Sequence, residues 1–204
     1  TGVLTGTVSD AATGAPLGSV QAGQPVDSAP STDGNYGYFG ANDGKLHALG
    51  ALDLAPRWTA YPTMGSFGQN AVAVSGGALY FLPGRDEKKA SALDASARTL
   101  LALSAGLTKT GPWTQAGSPV VDGSGFVYFA AGAANTTEEP ARLAALSSGT
   151  LVKVWPSSVS LSGVSPLGVL ASPAMANEIL YVPTQTGRLL AVSSAGATLD
   201  NVDI

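Results

Sequence analysis

Fourteen Asp and Glu residues, one His and no Cys are the acids, imidazole and soft ligands from which this 204-residue chain can build a reactive site. Asp43 sits in an Asn-Asp-Gly turn and Asp94 in a repeated frame, while Asp86, Glu87, Glu138 and Glu139 lie in two charged clusters, so none pairs with another as acid and base. A Ca²⁺ site takes roughly six or more oxygens, and neither Asn42-Asp43-Gly44 nor Asp122-Gly123-Ser124-Gly125 has the alternating acidic spacing of a calcium loop. His47 has no second His or Cys with which to hold zinc and is expected to be a packed or rim side chain. No Gly-x-Ser-x-Gly elbow, phosphate loop or dinucleotide fingerprint occurs, and the Ser31-x-Asp33 pair lacks the rest of a sialidase box. No catalytic, metal-binding or cofactor-binding residue is assigned, and no cofactor is expected.

The elements that would position any site follow from composition and repetition. The chain is 45% apolar, and its 26 Gly and 13 Pro punctuate apolar runs, which implies many turns and many short strands. A chain of this size buries enough surface to fold without disulfides or metal. A net charge of −4 with only ten Lys and Arg argues against nucleic acid as a partner and against a membrane-surface helix. No apolar run approaches the roughly eighteen residues of a membrane span. The chain starts at Thr1 with neither Met nor a charged-then-apolar leader, which reads as a processed protein or an excised fragment.

One eleven-position frame recurs at Val8, Ala48, Ala92, Ala145 and Ala191, with a small residue first, Asp or Ser third and Trp last in two copies, Trp58 and Trp155. Read without gaps, the fifth frame ends at Asn201. The frames lie 40, 44, 53 and 46 residues apart, the length of a four-stranded propeller blade. Before each later frame stands an aromatic strand, Tyr36-Gly37-Tyr38-Phe39, Leu79-Tyr80-Phe81, Val127-Tyr128-Phe129 or Leu180-Tyr181-Val182. Earlier still, Ser28-Ala29-Pro30, Ser118-Pro119 and Ser172-Pro173 lead into another strand, where Pro suits the first residue. Hairpin turns such as Asp33-Gly34-Asn35 and Asn42-Asp43-Gly44 separate the strands. Such a blade can hide one face alone, and the other becomes dry only by stacking on a neighbour. In the frame, the small residue lets blades approach, Asp or Ser bonds turn amides, Thr-Gly makes the turn and Trp packs between blades.

These features, Ser-Pro-Val-Val-Asp-Gly, Val-Tyr, Asn-Asp-Gly-Lys-Leu-x-Ala-Leu and the Trp-ended frame, resemble the pyrroloquinoline-quinone-type propeller repeat over nearly the whole chain. The resemblance implies blade form. The family holds quinone-dependent alcohol and glucose dehydrogenases as well as non-catalytic relatives, among them the bacterial outer-membrane barrel-assembly lipoprotein, and the non-catalytic branch is the nearer. The dehydrogenases need a catalytic Asp and Ca²⁺, and the alcohol type adds a pair of adjacent cysteines that this chain lacks. The expected fold is all-β: a propeller of four-stranded antiparallel blades, about four complete, over 23–64, 65–108, 109–161 and 162–204, after a partial blade at 1–22. The ring closes within the chain at four or five blades, or the chain is a segment of a seven- or eight-bladed ring, which is favoured because small rings are the rarer.

Binding residues are expected on loops. The densest charge cluster, Gly84 to Lys89, contains Arg85, Asp86, Lys88 and Lys89, and the segment Ala131 to Pro140 contains Asn135, Glu138 and Glu139. Both replace the same hairpin in adjacent units, so they should share a rim where they meet each other or a partner, although charge runs often only keep a surface wet. Asn135-Thr136-Thr137 is a weak glycosylation signal. Trp113 lies outside the frame and is a candidate for stacking a ligand or for packing between blades. The expected function is a non-catalytic extracytoplasmic scaffold whose partners are other proteins or the remaining blades of its propeller. The alternatives are a fragment of a quinone-dependent dehydrogenase and a carbohydrate-binding propeller.

Overall fold

The computed structural model describes residues 5–22, 24–60, 71–82, 90–96, 100–103, 113–133, 142–156, 159–161, 172–184 and 187–203. All regular structure among them is β-strand. An N-terminal hairpin pairs β1 (Thr5–Ser9) with β2 (Pro16–Gln21). Blade 1 lays β3 (Ser31–Thr32), β4 (Tyr36–Gly40), β5 (Leu46–Gly50) and β6 (Pro56–Ala60) side by side. Blade 2 does the same with β7 (Ala73–Ser75), β8 (Ala78–Phe81), β9 (Ser91–Asp94) and β10 (Leu100–Leu103). Blade 3 contains β11 (Trp113–Ala116), β12 (Val120–Val121), β13 (Phe126–Ala133), β14 (Arg142–Ser147) and β15 (Val159–Ser160). Blade 4 contains β16 (Ala174–Ala176), β17 (Ile179–Pro183), β18 (Arg188–Ser193) and β19 (Thr198–Asp203). Every pairing is antiparallel, and the four blades with their preceding hairpin form a partial β-propeller.

The repeated frame is a register. Tyr38 lies opposite Ala48, Tyr80 opposite Ala92, Tyr128 opposite Ala145 and Tyr181 opposite Ala191, so in every blade the ring sits beside a methyl-sized neighbour. Between third and fourth strands the turn puts one residue at positive φ: Gly14 (70°), Leu54 (53°), Leu151 (53°) and Gly196 (88°). The expected caps form there. Asp10 Oδ1 accepts the amides of Ala12 and Thr13 at 2.9 and 2.7 Å, Asp94 Oδ1 that of Ser96 at 2.8 Å and Ser193 Oγ that of Ala197 at 3.1 Å. Just beyond, Leu17, Arg57, Leu101 and Leu199 are skipped by the pairing, a recurrent bulge that strengthens the twist.

Two local expectations need correction. The fifth frame is one residue shorter than its gapless reading: Ala191 pairs with Asp200, not Asn201, because Gly196 closes a tighter turn by bonding Ser193 O at 2.8 Å. In the turns at Gly14, Leu54 and Leu151 the bond spans four residues, as from Leu54 N to Gly50 O at 2.9 Å. Blade 3 also has a fifth strand. Ala131–Ala133, read as the start of a loop, extends β13, and β11 pairs with that extension beyond the reach of β12.

Alternation does the packing. The Tyr face of each blade meets the Leu/Phe/Val face of the next, giving three apolar clusters, one per seam. Tyr38, Leu46 and Ala48 pack with Leu79, Phe81 and Leu93. Tyr80, Leu82 and Ala92 pack with Val127, Phe129 and Leu146. Tyr128, Leu143 and Trp155 pack with Leu180, Val182 and Leu190.

Candidate functional site

The residues singled out for a binding rim fall where the chain leaves β8 for β9 and β13 for β14, the same connection in blades 2 and 3. Arg85, Asp86, Lys88 and Lys89, and Asn135, Glu138 and Glu139, themselves lie outside the described residues. Trp113 begins β11 opposite Ala133, at the C-terminal end of β13, and its side chain is also outside the described set.

Polar chemistry that the sequence did not assign lies in the seams. Ala71 N donates to Ser118 Oγ at 2.9 Å and Ser118 N to Ser172 Oγ at 3.0 Å, so the serines of the Ser-Pro turns link blade 2 to 3 and 3 to 4. Ser31 Oγ donates to the Val72 carbonyl across the first seam. In blades 1 and 3 an acid of the first turn serves three donors. Asp33 accepts the amides of Asn35 and Tyr36 at 2.9 and 2.8 Å and the Tyr38 hydroxyl at 2.8 Å. Asp122 accepts the amides of Ser124 and Phe126 and the Tyr128 hydroxyl at 2.9, 2.8 and 2.8 Å. Burial, then the hydrogen bond from each hydroxyl to its carboxylate, pushes both phenols well above the ordinary range, so they stay protonated donors. Each of these rings leans on its blade's Trp, Tyr38 on Trp58 at 6.0 Å and Tyr128 on Trp155 at 5.7 Å.

Blades 2 and 4 have neither an aspartate at the position of Asp33 and Asp122 nor the Trp. Their first turns are Gly76-Gly77 and Asn177-Glu178, all at positive φ, and Ala102 and Asp200 stand where the Trp would be. The two blade types meet one acceptor differently. Tyr80 of blade 2 donates its hydroxyl across the seam to Ser148 O at 3.0 Å. In blade 3 Tyr128 is held by Asp122, and Trp155 Nε1 instead reaches the equivalent carbonyl of blade 4, Ser194 O, at 2.8 Å. Size is matched as well: Leu54 fills the space that a Cβ on Gly18 would need, and the Trp155 ring lies where a Cβ on Gly196 would come within 3.0 Å.

A groove of about 320 Å³ opens at the end of the third seam. Phe126 and Met175 supply apolar wall, and Asp122, Asn177, Glu178 and Ser194 line it with oxygen and nitrogen. Glu178 has positive φ (61°) where blade 2 uses Gly77. Among the described residues no three His, Cys, Asp or Glu side chains converge on a point that could hold a metal.

His47 is a packed ring. It stacks on Phe39 at 5.0 Å with planes 7° apart, its Nδ1 lies 3.3 Å from Thr59 Oγ1, and its Nε2 is buried without a hydrogen-bond partner among the described residues. Burial holds the imidazole below its usual range, while Asp43 pulls it up and Lys45 pushes it further down. The folded chain thus resists a proton that the unfolded chain takes up near pH 6.5, so stability falls as pH drops below about 6.5 and levels off beneath the folded pKa. His47→Leu, the residue blade 4 has in this place as Leu190, should abolish the loss in urea midpoint between pH 7.5 and 5.5; an unchanged loss would mean another group senses the proton.

Comparison with known proteins gives the same fold. BamB from Moraxella catarrhalis is 18% identical at a TM-score of 0.70, covering 94% of this chain and 54% of that one. Quinohemoprotein alcohol dehydrogenase from Comamonas testosteroni is 15% identical at 0.71, covering 88% and 35%. The computationally designed Ika4 protein is 9% identical at 0.59, covering 89% and 92%. The chain thus spans about half the length of the BamB structure. No curated protein matches it in sequence. At these identities the structures establish the fold alone, but the family described as outer membrane protein assembly factor BamB matches residues 4–204, every blade included, and the chain belongs to that family.

Proposed function

We propose that this chain is a non-catalytic, extracytoplasmic run of propeller blades that acts as a protein-interaction scaffold within a larger protein or assembly. One observation carries the reading. The polar side chains that recur from blade to blade are engaged in the fold itself: Asp33 and Asp122 with Tyr38 and Tyr128 fasten the first turns, and Tyr80, Trp155, Ser118 and Ser172 bond across seams. The family's description as an outer-membrane assembly factor supports both an extracytoplasmic location and a protein partner. The proposed units are 1–22, 23–64, 65–108, 109–161 and 162–204. The proposed gripping surface is the pair of loops with Arg85, Asp86, Lys88 and Lys89 and with Asn135, Glu138 and Glu139, and Trp113 is kept as a ligand-stacking candidate.

The likeness to a quinohemoprotein dehydrogenase favours the second reading, a redox-enzyme fragment. Titration of the chain with pyrroloquinoline quinone and Ca²⁺, followed by absorbance and by dye reduction with a primary alcohol, separates the two. The scaffold reading expects neither saturable binding nor turnover. Stoichiometric binding with dye reduction would replace it.

A further inference from the structure

The groove at the end of the third seam is lined by two carboxylates, Asp122 and Glu178, and by no Lys or Arg. Asp122 belongs to the fold, since its oxygens accept the Ser124 and Phe126 amides and the Tyr128 hydroxyl. Glu178 is different. The residue is exposed, and among the described residues its carboxylate has neither a hydrogen bond nor an ion pair. It nevertheless faces the same place, because its charge adds to that of Asp122 in raising the Tyr128 phenol.

Glu178 is also a poor choice for its backbone. Ala176 pairs with Ile179, so Asn177 and Glu178 make a two-residue hairpin turn, with φ of 51° and 61°. Such a turn takes Asn-Gly by preference, since glycine alone enters the left-handed region without steric cost. The carbonyl of Glu178 accepts Ser194 N at 2.8 Å. The equivalent bonds of blades 2 and 3 run from Ala95 N to Gly77 O and from Ser148 N to Gly125 O, both at 2.9 Å. Gly77 and Gly125 have φ of 77° and 88°. Three blades therefore share one left-handed position, two of them fill it with Gly, and blade 4 fills it with an acid that the rest of the described chain does not bond. Strain held at such a point directs attention to what the side chain meets from outside.

Shape and charge name the occupant. At about 320 Å³ the groove is near the lower end of the roughly 300–1,000 Å³ of ligand pockets, enough for one long side chain. Phe126 and Met175, both half-buried, form its apolar wall. A guanidinium suits both features: its flat, weakly hydrated face lies on an aromatic ring while its N–H groups fork to a carboxylate. An ammonium holds its water more strongly and gains less from the apolar wall. The chain's net charge of −4 also favours the approach of a basic partner. Resting on the reading of the chain as a protein-interaction scaffold, we infer that the groove between the first turns of blades 3 and 4 receives an arginine side chain from an exposed segment of a partner protein, with Glu178 as its counter-charge and Phe126 and Met175 as its bed.

The test titrates the whole isotope-labelled chain with acetyl-Gly-Arg-Gly-amide and follows the backbone amides of Ser124, Phe126, Asn177 and Glu178. Saturable shifts should gather at these amides. The Lys counterpart should bind about threefold more weakly, and the citrulline counterpart, which keeps the shape without the charge, should leave the amides unmoved. Glu178→Gln should weaken the Arg peptide about tenfold. Glu178→Gly should weaken it as much while raising the urea midpoint, because the turn then has the residue its backbone prefers. Weaker binding together with a higher midpoint is a result that damage to the fold does not produce. Arg-peptide binding unchanged in Glu178→Gln, shifts that do not saturate or that gather elsewhere, or a lower midpoint for Glu178→Gly would overturn the inference. Spermidine or Mg²⁺ moving the same amides at lower concentration than the peptide would assign the groove to a small cation and overturn the choice of occupant. No arm reads quinone binding or dye reduction, so the arginine inference and the scaffold reading fail separately.

Discussion

Trp155→Ala should lower the unfolding free energy by about 4 kcal/mol, the cost of removing a buried aromatic side chain. The indole is 5% exposed, its ring stands 5.7 Å from that of Tyr128, and its Nε1 bonds Ser194 O of the next blade at 2.8 Å. Truncation leaves a cavity in the third seam and deprives that carbonyl of its donor. Trp155→Phe keeps most of the ring and loses the N–H, so it should cost only about 1 to 2 kcal/mol. Urea unfolding of the three proteins measures both values. A loss under about 1 kcal/mol for the Ala variant would mean that Trp155 packs on its own blade and not across the seam.

Gly196→Val should cost about 3 kcal/mol for two separable reasons. At φ 88° a branched side chain strains the backbone, and its Cβ would come within 3.0 Å of the Trp155 ring. Gly14 isolates the first reason, since its φ is 70° and no atom lies within 4 Å of a Cβ placed there. Gly14→Val should therefore cost only about 1 to 2 kcal/mol. In a Trp155→Ala background the excess at Gly196 should largely vanish, because the space the new methyls need has been vacated. Costs that add within about 0.5 kcal/mol would rule out the contact.

The blade pattern could be read from the sequence because its causes are local. A Tyr flanked by apolar residues, a small residue one hairpin later and Gly, Asn or Asp between them fix strand, register and turn without knowledge of distant contacts, as the four Tyr–Ala pairs show. The short turn of blade 4 was not legible, since Ser194-Ala195-Gly196 has no side chain that marks which residue has been lost. Nor was the left-handed backbone at Leu54 and Leu151, where Gly would be the ordinary choice. At Leu151 burial to 1% exposure in the second seam offsets the strain.

The seam bonds were invisible for a different reason. Ser118 and Ser172 look like turn residues before Pro, and only stacking brings them to amides 47 and 54 residues away. The groove beside Asp122 and Glu178 likewise joins turns of two blades, and neither turn signals it alone. The charged segments stand out in the sequence because charge is conspicuous in an apolar chain.

The central claim is that each Tyr-bearing face is sealed by the blade that follows it. The most direct measurement is a nuclear Overhauser spectrum of the methyl- and aromatic-labelled chain. The account predicts cross-peaks from the rings of Tyr38, Tyr80 and Tyr128 to side chains one blade onward, Leu79, Leu146 and Leu180 respectively, and from the Trp155 indole to the Gly196 α-protons. Tyrosine rings whose long-range cross-peaks stay within their own sheet, or lead to blades that do not follow in chain order, would contradict it.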